Sequence, residues 1–181
     1  MTELCPKARE TFDAFYAIQV VSAAQLFGGK ICAALARQHP RDLFDIKYLL
    51  ENDGFTNQIK EGFLMLLSCS ERPAHELLHP NRIDQRTSLN NQFTGMTDET
   101  FTYDDYEDTR TKLITTIQNS MSEYDKNFLL NFTRLTPDWS VYNFRYFPAV
   151  NWKIQNPEKL RSNNPKKFEQ LYKSLSEVLY S

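Results

Sequence analysis

Residues 28–50, GGKICAALARQHPRDLFDIKYLL, hold the side chains whose types and spacing most suggest chemistry. At ~100° per residue, Lys30 and Arg37 fall about 20° apart on a helix, beside Leu26 and Ala33. Two long cations thus project from one face over a floor of small residues. The Lys30 stem is flanked by Leu26, Phe27, Ile31 and Ala34 and is expected to be half-buried. An ammonium so placed needs an anion, from the protein or from a ligand. Asp42 and Asp45, three apart, share a face of the next helix. Gln38-His39-Pro40 makes the corner that turns these acids back towards the cations. Two readings stay open: a structural salt-bridge network between two helices, or a phosphate site. In the second, Lys30 and Arg37 neutralise a polyphosphate while an Asp orients the lysine or activates an attacking group.

The elements that must carry these residues are mostly helical. Residues 18–21, Ile-Gln-Val-Val, read as a short β-branched strand. A lone strand cannot satisfy its own backbone groups. Its partners, which the sequence does not visibly supply, are expected from another chain or from a sheet upstream. Ser22 with Gln25 starts a helix over 22–38. Pro40 ends it and opens a second over 40–52, closed by Asn52-Asp53-Gly54. A third runs from Thr56 to Ser70, and Pro73 and Pro80 bracket a short piece with Leu77 and Leu78. Residues 80–101 are polar and read mainly as an ordered loop. Helices resume from Tyr103 to Met121 and from Ser122 to Phe132, where Pro137-Asp138-Trp139 breaks the chain. An amphipathic stretch around Trp152 and Ile154 is expected to stop at Pro157. The last helix, from Pro165, sets Phe168, Leu171, Tyr172, Leu175, Val178 and Leu179 on one stripe.

The 181 residues suit one domain, or one domain plus part of another. With a net charge of −2 there is no global basic field of the kind that marks a simple nucleic-acid binder. Cys5, Cys32 and Cys69 are odd in number and widely spaced, which reads as free thiols in a reducing compartment. The N-terminal residues hold no signal-like apolar segment, and no run approaches the ~20 apolar residues of a membrane span. A soluble, cytoplasmic protein with no membrane partner is expected. His39, His75 and His79 read as solvated or capping residues, Cys32 as packed and Cys5 as exposed. Trp139 and Trp152 read as packing residues. Lys153 and Asn156 read as a solvated helix face, and the acids 104–108 as a helix N-terminus.

Gly28-Gly29-Lys30, Ala33-Ala34-Leu35 and Arg37-Gln38-His39-Pro40-Arg41-Asp42-Leu43-Phe44-Asp45 together resemble the third and fourth motifs of AbiEii/AbiGii-type nucleotidyltransferase toxins. Asn81-Arg82-Ile83-Asp84-Gln85-Arg86, Phe93-Thr94-Gly95-Met96, Phe101-Thr102-Tyr103-Asp104-Asp105, Phe128-Leu129-Leu130, Pro137-Asp138-Trp139 and the segment 148–156 extend the likeness along essentially the whole chain. The resemblance implies a polymerase-β-like nucleotidyltransferase fold joined to a helical domain. Of that fold this chain would hold a mainly α, helical-bundle C-terminal region, with one or a few short strands near its N-terminus as an α+β remnant. Residues 1–54 would be the distal part of the nucleotidyltransferase domain and 55–181 the helical C-terminal domain. The implied activity is transfer of a nucleotide from an NTP to an RNA (such as tRNA) or protein acceptor. The implied setting is a toxin–antitoxin pair that arrests growth or aborts phage infection. By motif match Lys30 would contact nucleotide phosphates, Asp42 or Asp45 would be the late catalytic or orienting acid, and Arg37 and Arg41 would reach phosphate or acceptor.

The sequence departs from the family pattern at one essential place. The Gly-rich turn with an Asp-x-Asp pair, which would hold Mg²⁺ on the triphosphate, has no counterpart here. Ala36 also stands where an acid before Arg37 is expected. The Mg²⁺ and NTP implied by the family are therefore expected not to bind productively to this chain alone, which reads as a truncated, inactive form. The alternatives are a non-catalytic helical module binding an antitoxin, RNA or a second copy of itself, and an enzyme completed by a separate N-terminal polypeptide.

Overall fold

Short-range capping chemistry sets most of the helix boundaries. The computed structural model describes every residue except Met1, Leu4 and Ala14. The chain enters through β1 (Thr2–Glu3), α1 (Pro6–Phe12) and β2 (Ala17–Ile18). Asp13 closes α1 in a left-handed conformation, φ 43°. The turn carries the chain back so that Thr2 pairs with Ile18 and Glu3 with Ala17 in an antiparallel ladder. The strand expected over 18–21 is thereby corrected: Ala17 and Ile18 form it, and its partner comes from this chain.

Ser22 then accepts the Gln25 N–H at 3.2 Å and opens α2 (Ala23–Arg37). Pro40 occupies the first turn of α3 (Pro40–Tyr48), which continues through a π-helical turn, Leu49–Asp53. Gly54, at φ 71°, ends that turn in a conformation open to glycine. Thr56 caps α4 (Asn57–Cys69), and α5 (Ala74–Leu78) follows Pro73.

Residues 80–101 are more helical than their polarity predicts. They include α6 (Arg86–Ser88) and a π-helical turn, Leu89–Phe93. The cause is burial: Leu89 and Phe93 are inserted in the core, with the Phe93 ring 5.1 Å from that of Phe44 and 5.5 Å from that of Phe101. Full capping boxes, Thr102 with Asp105 and Ser122 with Asp125, open α7 (Tyr103–Ser120) and α8 (Glu123–Thr133).

Pro157 does not end its helix. It lies inside α9 (Pro148–Asn163), which is followed by α10 (Pro165–Leu179). A proline there removes one helix hydrogen bond and costs about 3 kcal/mol, offset by the packing of α9 on α4 and α10.

The protein is thus mainly α, and one hydrophobic core runs from Ile31 to Leu179. Its tightest joint lies between α2 and α4. A Cβ added at Gly62 would stand 2.1 Å from the Ala24 carbonyl oxygen, and one at Gly28 2.6 Å from the Gly62 carbonyl carbon. Trp139 packs on Phe128 and Phe132 as expected. Trp152 does not pack in the core: it is 59% exposed. On α9 the inward positions are Val150 and Ile154, and a residue two places from Val150 points about 200° away.

A polar element is also buried in this core. Asp125 accepts from Lys60 Nζ at 2.7 Å, from the Tyr142 hydroxyl at 2.5 Å and from the Ser122 backbone N–H at 2.8 Å, so its charge is fully answered. The three cysteines are free, Cys5 exposed. Burial, with a smaller push from Cys69, raises the Cys32 thiol to about 12, the packed behaviour expected of it. Among the described residues no helix is long and apolar enough to cross a membrane.

Candidate functional site

The α2–α3 hairpin is built at its corner. Gln38 takes a left-handed conformation, φ 51°, and its N–H reaches the Ala34 carbonyl, ending α2. His39 opens α3 by accepting the Arg41 N–H on Nδ1 at 3.3 Å, and its Nε2 lies 2.9 Å from Gln92 Oε1. Those bonds give His39 the capping role expected of it. With Pro40 setting the first turn, α3 folds back along α2. Lys30 Nζ donates to Asp45 Oδ2 at 2.5 Å, and Arg37 Nη2 donates to Asp42 Oδ1 at 2.9 Å.

The four charges singled out by spacing therefore do meet, as two cross-helix pairs. Lys30 is half-buried, 35% exposed. Asp42 is the most enclosed, its side chain 15% exposed. Its Oδ1 takes the Arg37 bond, while Oδ2 is buried without a hydrogen-bond partner. A buried acceptor left unpaired costs about 1–3 kcal/mol. Both ion pairs remain partly open to solvent, which screens them to about 1 kcal/mol each. Arg41 stands apart, exposed on α3, with no ion pair among the described residues.

Mg²⁺ asks for about six oxygen ligands in near-ideal octahedral order. Asp42 and Asp45 are each committed to a cation. No group of three His, Cys, Asp or Glu among the described residues could hold a metal ion. The residues present do not fit the ion.

The corner is held in place by residues that the spacing argument overlooks. Gln38 is buried. Its Nε2 donates to the Asn81 carbonyl at 2.7 Å, and its Oε1 accepts from the Ile83 N–H at 3.2 Å and from Arg110 Nη1 at 2.8 Å. The Tyr106 hydroxyl donates to the Gln38 carbonyl at 2.7 Å. Arg110, buried on α7, also donates to the Ile83 carbonyl at 3.0 Å and pairs with Glu107 at 2.5 Å. This network ties the hairpin to α7 and to residues 81–83. One sequence signal could have found it: Arg110 shares the stripe of Tyr106, Leu113 and Ile117, where a cation is out of place unless paired.

Lys153 and Asn156 bear on another expectation. Both line an apolar cleft of about 230 Å³ between α4, α5, α8, α9 and α10, and the solvated face expected of them is corrected for Lys153 alone. Lys153 is half-buried there, and Asn156 stays exposed at the rim.

Fold and site together define a helical protein organised around a charged α2–α3 hairpin. The model of the family described as nucleotidyl transferase AbiEii toxin, type IV toxin–antitoxin system, matches residues 1–156, and the chain belongs to that family. Membership implies an antitoxin as partner. No curated protein and no solved structure matches the chain.

Proposed function

We propose that Lys30, Arg37, Asp42 and Asp45 form the phosphate-facing wall of a nucleotide site. In the complete site, a nucleotide would pass from an NTP to an RNA or protein acceptor, arresting growth or aborting phage infection. The observation that carries this reading is the buried, unpartnered Asp42 Oδ2 beside the Arg37 bond. A buried carboxylate oxygen in that state favours a ligand donor, such as a nucleotide or acceptor hydroxyl, which would answer it. Lys30 would trade Asp45 for a phosphate oxygen, with Arg41 reaching the same ligand from α3. In this reading residues 1–54 are the distal part of the nucleotidyltransferase domain, and the helical remainder packs on it through α2 and α4. Because the acids present do not fit Mg²⁺, the chain by itself binds nucleotide and does not transfer it.

A second reading is a non-catalytic interaction module for the antitoxin, an RNA or a second copy. It is favoured by the exposed apolar side chains of Phe12, Phe15, Tyr16, Ile18, Val20 and Val21. Calorimetric titration of the four NTPs, with a transfer assay on tRNA in Mg²⁺, separates the readings. Wild type is expected to bind nucleotide, Lys30→Ala about tenfold more weakly, as for a lost charge-assisted bond, and neither to transfer. Mg²⁺-dependent transfer abolished by Lys30→Ala overturns the claim of inactivity. Absence of nucleotide binding overturns the phosphate wall and leaves the interaction module.

A further inference from the structure

The cavity beneath α9 shares no residue with the α2–α3 quartet, and it has two chemically different parts. Its walls are apolar, with Leu67, Leu129, Phe132, Leu160, Leu171 and Leu175 on four of the five helices around it. It measures about 230 Å³, space for about eight water-sized groups. Among its lining residues are two cations, Lys153 and Arg72, and one acid, Glu71. Lys30, Lys60 and Lys126 each hold a carboxylate, whereas Lys153 has only a 3.4 Å bond to the Glu71 carbonyl. Arg72 stands at the mouth, exposed and without an ion pair among the described residues. Burial, opposed by the charge of Glu71, lowers the Lys153 ammonium from its ordinary range, as befits a cation whose desolvation is not fully answered.

We propose that this cavity binds a medium-chain monocarboxylate, its alkyl chain between Leu67, Leu129, Phe132 and Leu171 and its carboxylate on Lys153 and Arg72. The mouth holds two cations against the one acid Glu71 and so favours an anion, the apolar walls favour an alkyl chain, and the volume matches a chain of about eight carbons.

The test uses the full chain with octanoate and octan-1-ol as probes, by calorimetry and by amide chemical-shift mapping. Saturable octanoate binding is expected, with shifts centred on Ala74, Leu160 and Leu171, and octan-1-ol about tenfold weaker. Lys153→Met, which keeps most of the stem, is expected to lose about tenfold towards octanoate and nothing towards octan-1-ol. A melting curve for the variant shows that it folds, and the wild-type comparison of the two probes does not depend on the variant. Equal affinity for the two probes, no saturable octanoate binding, or shifts centred on residues 12–21 each overturn the proposal.

Discussion

Substituting Gly62 tests whether α2 is seated as described, because two effects of opposite sign meet there. Replacing a helix-interior glycine by alanine ordinarily stabilises by about 1 kcal/mol, through the lower entropy of the unfolded chain and better helix propensity. At Gly62 the new Cβ would stand 2.1 Å from the Ala24 carbonyl oxygen and 2.6 Å from its carbonyl carbon. Both are backbone atoms and cannot rotate away, so the helices must part by about 1 Å to restore ordinary contact. Overpacking a core costs about 1–3 kcal/mol, and the backbone nature of this clash puts it near 3. Gly62→Ala is therefore expected to lose about 2 kcal/mol net, lowering Tm by about 4–8 °C for a chain of this size. Gly29 is the control: its Cβ would meet only the Leu66 side chain, at 3.7 Å, an ordinary contact. Gly29→Ala is expected to keep the propensity gain and raise Tm by about 2–4 °C. Thermal melts followed by circular dichroism read both. A Gly62→Ala protein melting at or above wild type would refute the close α2–α4 approach, and with it the support beneath Lys30.

Arg110→Met should destabilise by about 3 kcal/mol, the low end for breaking a buried ion pair because Glu107 keeps some solvent; urea unfolding measures it, and a loss under 1 kcal/mol would show that the Gln38 corner stands without this guanidinium. Asp125 supplies a pH dependence. Burial pushes its carboxyl up, but the bonds from Lys60, Tyr142 and Ser122 outweigh that and hold it below the usual value of 3.8. A carboxyl depressed in the folded state stabilises the fold above its unfolded pKa, and that contribution disappears as pH falls through the folded value. Wild type should thus lose stability below about pH 4. Asp125→Asn should be less stable at neutral pH and show a shallower acid limb; identical acid limbs would count against the network.

The helix starts were legible because the groups that make them lie within four residues of each other. Ser22 with Gln25, Thr56 with Ile59, Thr102 with Asp105 and Ser122 with Asp125 are three apart, and such bonds form whatever the rest of the chain does. Helical periodicity likewise placed Lys30 with Arg37 and Asp42 with Asp45 before any packing was known. Three other readings failed where distant parts of the chain decide. Residues 86–93 coil because Leu89 and Phe93 find the core, α9 runs through Pro157 because its neighbours hold it, and Trp152 points away because Val150 and Ile154 do not. The pairing of Lys30 with Asp45 rather than Asp42, and the orphaned oxygen of Asp42, follow from how far α3 folds back. That angle is set at Gln38, whose bond to Arg110 spans 72 residues. The sequence by itself determined which residues could face one another. Tertiary packing alone decided which of them touch, because the energy of those contacts belongs to partners far apart in the chain.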